Sequence, residues 1–204
     1  MTDKTLTRRS ILKYLSAATL LSGAITAASV AQAQRVDKKD EKILIIYFSM
    51  PETDKPGDMT REEANSTVVV NGKVLGNTQY VAQLIQERTK ADVFRIIPAT
   101  PYPTDHDTLV DLAKEEQNRA ARPAIGNKIN NLAQYDTVFI GYPNWWADMP
   151  IILYTLFDQY DFSGKKLIPF NTHGGSGFSD TIETIVNNPR LIAGFTAITI
   201  VMLH

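Results

Sequence analysis

The sequence predicts an α/β protein built on a doubly wound, five-stranded parallel sheet. Short unbroken apolar runs alternate along it with segments of helical periodicity. Runs of that length suit strands buried on both faces, and strands that alternate with helices form right-handed βαβ units. Loops of unusual composition follow three of the runs, at the carboxyl ends of the strands, where open α/β sheets bind their ligands.

The elements follow in order. Residues 42–49, Lys-Ile-Leu-Ile-Ile-Tyr-Phe-Ser, form the first strand candidate. Residues 77–90 place Val81, Leu84 and Ile85 on one helical face, with Gln83, Gln86, Glu87 and Lys90 outside. Residues 92–97 are strand-like and stop at Pro98. Thr104 is the expected N-cap of a helix reaching Ala121, with Asp105 and Asp107 in its first turn. A strand over 136–141 leads to an apolar helix over 149–160 with Pro150 in its first turn. A strand over 166–171 precedes a helix over 179–187, and residues 195–202 form the fifth strand candidate. His204 follows this strand candidate closely, and the expected fold lacks a closing helix.

Residues 51–75 interrupt the first strand–helix connection as an insertion. They contain Asn71-Gly72 between apolar runs, a strong type I′ hairpin signal.

The first 33 residues have the character of an address. Thr7-Arg8-Arg9-Ser10-Ile11-Leu12-Lys13 resembles a twin-arginine signal, followed by a mildly apolar stretch and Ala31-Gln32-Ala33, which fits signal peptidase. The stretch is about long enough to span a bilayer, but Ser16, Thr19, Ser22, Gly23, Thr26 and Ser29 dilute it. The expected layout is a signal peptide (1–33), a charged linker (34–41) and one domain (42–204), exported to the periplasm or beyond the membrane by the twin-arginine route. Membrane contact is expected only through the signal, during export.

Of the 204 residues, 44% are hydrophobic, enough for a real core. Formal charge is −1 for the whole chain; losing four basic residues and one acid with the leader makes it −4. That balance argues against nucleic acid as a partner. The absence of cysteine excludes thiol catalysis, disulfides and Cys-bound metal clusters.

Three loops carry the chemistry. Ser49 and Gly76-Asn77-Thr78 meet where the first strand gives way to its helix; their hydroxyls and amides, with the helix dipole, suit a phosphate. The plainer reading of Asn77-Thr78 is a helix cap. Pro143-Asn144-Trp145-Trp146-Ala147 holds both tryptophans of the chain, and at least one is free to stack on a planar ligand. Thr172-His173-Gly174-Gly175-Ser176-Gly177 has three glycines in four residues, leaving amides open to line a flat heterocycle.

Together these motifs resemble the flavodoxin-like family over residues 42 to about 202. Tyr47-Phe48-Ser49 with Gly76-Asn77-Thr78 is similar to its phosphate loop, here split by the insertion. Tyr142-Pro143-Asn144-Trp145-Trp146 and Thr172-His173-Gly174-Gly175-Ser176-Gly177 are similar to its two flavin-ring loops. The resemblance implies strand order 2-1-3-4-5, without the last helix, and flavin mononucleotide (FMN) as cofactor. Ser49, Asn77 and Thr78 would hold its phosphate. Residues 143–147 would pack on the ring, with Trp145 or Trp146 nearest, and 172–177 would border its pyrimidine end.

The implied function is electron transfer, with a redox partner protein or a small electron acceptor. An NAD(P)H-dependent FMN reductase of quinone type is the alternative, although no Gly-x-Gly-x-x-Gly follows any strand. A flavin-free binding module is the third reading. A serine hydrolase fails because the nucleophile elbow around Ser176 needs glycine where Phe178 stands. Asp105-His106-Asp107, on consecutive helical positions, cannot easily converge on one metal ion.

Overall fold

The computed structural model describes residues 41–188 and Leu191. All of them belong to one compact unit, Asp40–His204. The leader, the linker up to residue 40 and the fifth strand candidate at 195–202 lie outside the described residues. So does the question of a closing helix.

Four parallel strands form the main sheet: β1 (Ile43–Tyr47), β4 (Asp92–Arg95), β5 (Thr137–Pro143) and β6 (Lys166–Thr172), in spatial order β4-β1-β5-β6. That is the expected 2-1-3-4 part of the order. The apolar run of β1 makes it a central strand, since its side chains alternate between two cores. Leu44 and Ile46 join Val138, Ile140, Tyr142 and Leu167 on one face. Ile45 and Tyr47 join Phe139, Ile168 and Phe170 on the other. Each fully buried aliphatic side chain contributes about 1.5–3 kcal/mol by leaving water.

Helices cover both faces. The first receives α3 (His106–Asn118), α4 (Ile152–Gln159) and α5 (Thr181–Val186) through Leu109, Ile152, Leu153, Leu156 and Ile185. The second receives α2 (Asn77–Thr89) through Val81 and Ala82. Leu84, expected on the inner face of α2, is 42% exposed instead. The buried stripe runs through Thr78, Val81 and Ala82, and small Ala82 lets the helix sit close to the sheet.

The N-cap of α3 is Asp105, not Thr104: its carboxylate accepts from the Thr108 amide at 3.0 Å, and the helix ends at Asn118 rather than Ala121. Pro150 precedes α4, its carbonyl accepting from the Leu153 amide at 2.9 Å.

The insertion has structure of its own. A short helix, α1 (Arg61–Ser66), opens with a capping box in which Thr60 and Glu63 satisfy each other's amides. An antiparallel hairpin follows, β2 (Thr67–Val70) and β3 (Lys73–Gly76), turning at Asn71 and Gly72 with φ of 51° and 75°. Both angles are positive, as a type I′ turn requires.

Gly141 lies in β5 between Tyr47 and Phe170. A Cβ there would stand 2.1 Å from the Phe170 ring. Gly141→Ala should therefore destabilise the fold by about 1–3 kcal/mol through overpacking. Urea unfolding measures this, and trimming Phe170 to Leu in the same chain should return part of the loss; an unchanged midpoint for Gly141→Ala would refute the account.

Candidate functional site

Because β1, β5 and β6 run parallel, their carboxyl ends reach the same edge of the sheet. There Ser49, Asn77, Thr78, Pro143, Asn144, Trp145, Thr172, His173 and Gly174 line one cavity of about 480 Å³. Its size is within the range of small-molecule sites. Nine of the fifteen residues expected from the sequence thus come together.

One end is polar. Gly76 is the N-cap of α2 and supplies no side-chain cap. Ser49 takes that task from across the chain, its Oγ accepting from the Gln79 amide at 3.2 Å. The hydroxyl proton of Ser49 remains available to donate. A Cβ on Gly76 would fall 2.2 Å from Ser49 Oγ, so glycine is what lets these two segments meet. Asn77 and Thr78 are not caps. The Asn77 amide donates to the Asn65 carbonyl at 2.8 Å, and Thr78 and Thr172 share a buried hydroxyl–hydroxyl bond of 2.8 Å. That last bond joins the start of α2 to the end of β6.

The other end is aromatic, and the two tryptophans part there. Trp145 lines the cavity, edge-packed on Phe48 at 5.6 Å and on Tyr102 at 5.8 Å. Trp146 turns away and is 49% exposed. Its indole N–H donates to the Val110 carbonyl on α3 at 3.1 Å, and Lys114 lies 4.9 Å over its ring. Reciprocal backbone bonds between Trp145 and Asp148 enclose Trp146 and Ala147, with φ of 53° and 62°. That is a type I′ turn made without glycine, and it carries Ala147 out of the cavity wall with Trp146.

Gly175, Ser176 and Gly177 do not line the cavity either; they brace the loop. The Gly177 carbonyl accepts from Asn144 Nδ2 at 3.0 Å and Asn171 Nδ2 at 2.6 Å, and the Ser176 carbonyl from Ser179 Oγ at 3.3 Å. The Gly175 amide donates to His173 Nδ1 at 2.9 Å. In a neutral imidazole this leaves the proton on Nε2. That Nε2 is buried and has no hydrogen-bond partner among the described residues.

None of the expected site residues came from the insertion or from Met50 just before it, yet both contribute to the wall. Met50, Glu52, Arg61, Asn65 and Ser66 also line the cavity. The one available signal was the capping box at Thr60 and Glu63, which fixes where α1 begins. Glu52 bonds His106 Nδ1 at 2.9 Å, a pairing across 54 residues. His106, at the start of α3, therefore ties that helix to the insertion. Burial raises the Glu52 carboxyl above its ordinary value of 4.5; the His106 hydrogen bond and charge oppose the rise, and Glu62 and Glu63 reinforce it.

An open parallel sheet with a phosphate-suited helix start and an aromatic wall at the strand ends defines a nucleotide-type binding protein. The sequence profile of the flavodoxin family matches residues 66–193, and the chain belongs to that family. No curated protein matches it in sequence. Among solved structures, a candidate flavoprotein of Bacteroides eggerthii is 27% identical, with 80% of this chain and 89% of that one covered at a TM-score of 0.61. A candidate flavoprotein of Bacteroides uniformis is 28% identical, with 80% and 90% covered, also at 0.61. A flavoprotein from Lactobacillus acidophilus, solved in complex with FMN, is 19% identical over 79% of this chain and 92% of that one at 0.55, and shares the fold.

The Glu52 shift has a definite sign. A carboxyl raised in the folded state favours folding while protonated, and that contribution fades as pH rises from 4.5 through the higher folded value. Glu52→Gln should therefore gain stability relative to the wild type as pH rises above 4.5. Urea midpoints for the two proteins test this; a difference that stays flat or runs the other way refutes it.

Proposed function

We propose that this chain is an FMN-binding electron-transfer protein of flavodoxin type, exported by a twin-arginine leader and working with a redox partner protein or small electron acceptor. The observation that carries the reading is the single cavity shared by the start of α2, the Trp145 loop and the His173 loop. Its parts fit FMN. Hydroxyls and amides at the start of α2 meet a phosphate, Trp145 and Pro143 offer flat apolar surface, and His173 Nε2 offers a buried donor. Membership of the flavodoxin family supports the same cofactor.

Bound FMN supplies the electron chemistry; the protein supplies position and electrostatics. Ser49 Oγ, held by the Gln79 amide, directs its proton toward the phosphate end. The dipole of the 13-residue α2 favours negative charge there. Phe48 and Tyr102 pack edge-on against Trp145 and fix its plane. The Gly175 amide holds the His173 ring through Nδ1, and its Nε2 would donate to an acceptor on the bound ring. Bonds from Asn144 and Asn171 to Gly177 hold the two ring loops together.

Purified protein should regain the yellow flavin absorption when FMN is added. Trp145→Ala should weaken FMN binding about tenfold, the loss of one stacking wall, and Trp146→Ala should weaken it less. Equal affinities for all three proteins would refute the role of Trp145. Mixed anaerobically with NAD(P)H, the loaded carrier should keep its colour; prompt bleaching would favour the reductase. For export, residues 1–33 fused to a reporter should direct it across the membrane, and replacing Arg8 and Arg9 together by Lys should stop it. Export that survives the double substitution would refute the twin-arginine route.

A further inference from the structure

We propose that Arg61, carried by the insertion, binds the ligand's phosphate and makes the site select the phosphorylated flavin over its unphosphorylated form; the inference rests on the FMN reading above.

Arg61 lines the cavity. It makes no hydrogen bond or ion pair among the described residues, whereas Arg119 and Arg122 pair with Glu115 and Asp158 at 3.5 and 2.7 Å. Two carboxylates of the insertion are engaged by other groups. Glu52 is held by His106 at 2.9 Å, and Glu63 closes the capping box on the Thr60 amide at 2.7 Å. Arg61 is exposed, lines the cavity and has no carboxylate within ion-pairing distance among the described residues, which leaves its guanidinium open to an anion there.

Its place in the fold puts it at the phosphate end. Asn65, one helical turn after Arg61 and on the same face, also lines the cavity. The carbonyl of Asn65 accepts from Asn77 Nδ2 at 2.8 Å, which seats α1 against the start of α2. Ser66 Oγ accepts from the Glu52 amide at 3.1 Å and closes the insertion on itself. Arg61 and the phosphate-suited hydroxyls of Ser49 and Thr78 thus share one end of the cavity.

Helix stability does not account for this residue. A cation in the first turn lies near the positive end of the helix dipole and opposes it. Ligand chemistry does account for it. A phosphate monoester carries about −1.5 to −2 charges at neutral pH, and Ser49, Thr78 and the α2 amides are all neutral donors. A guanidinium supplies the missing charge in a forked geometry matched to phosphate oxygens.

Titrating FMN and riboflavin into the wild type, Arg61→Ala, Arg61→Lys and Arg88→Ala tests the inference. Arg88 is exposed at the far end of α2 and controls for general loss of positive charge. Arg61→Ala should bind FMN about tenfold more weakly, or worse, and riboflavin as the wild type does. Arg61→Lys should be intermediate, and added salt should narrow the gap. Unchanged FMN affinity in Arg61→Ala, or equal losses for both flavins, overturns the assignment of Arg61 alone. Failure of the wild type to bind either flavin overturns the FMN reading, and this inference with it.

Discussion

Parallel pairing of β1, β5 and β6 is the constraint on which the site depends. In a parallel ladder every strand ends at the same edge, so segments far apart in sequence deliver their following loops to one place. The pairing is fixed by burial: β1 sends Leu44 and Ile46 into one core and Ile45 and Tyr47 into the other. A slip by one residue would exchange the two sets and unmake both cores. The bond between Thr78 and Thr172 then sets the spacing of the two loops at the cavity floor. Both hydroxyls are buried, so each needs the other, and leaving one alone costs about 1–3 kcal/mol.

The insertion changes what this frame offers. It separates Ser49 from Gly76 in sequence, yet Ser49 still reaches the third residue of α2 to satisfy the Gln79 amide. Between them the chain forms α1 and a hairpin, closed by the capping box at one end and by the β3–α2 junction at the other. The interruption therefore adds a wall to the cavity and leaves the contact between Ser49 and the start of α2 in place. Through Glu52 and His106 that wall is also tied to α3, the helix on which the Trp146 indole is anchored.

Periodicity revealed the strands because apolar runs buried on both faces leave little ambiguity, and Asn71-Gly72 revealed the hairpin because few other pairs accept two positive φ angles. The three loops were legible from composition and from their common place after strands. The division of the tryptophans was not, because it depends on a type I′ turn whose central residues, Trp146 and Ala147, are ones that local preference argues against. Nor was the wall of Glu52, Arg61 and Asn65. Its position follows from contacts such as Glu52 with His106 and Asn65 with Asn77, which join residues distant in sequence and leave no periodic trace. The cap of α3 was misplaced by one residue because Thr104 and Asp105 are both good caps, and only the bonds to Thr108 decide between them.

The strained turn explains why adjacent, identical side chains take different parts. Two non-glycine residues at positive φ cost on the order of 1–3 kcal/mol each and persist only where surrounding contacts hold them. Here those contacts converge on Trp146: its indole N–H on Val110, its carbonyl on Gln117 at 3.2 Å, and Lys114 above its ring. The turn is thereby fastened to the outer surface of α3, and Trp145, one residue earlier, is directed inward against Phe48 and Tyr102. A side chain braced in this way loses little further freedom when a planar ligand arrives, so more of the contact energy remains for binding. Trp146 serves the cavity without touching it, by deciding where its neighbour stands.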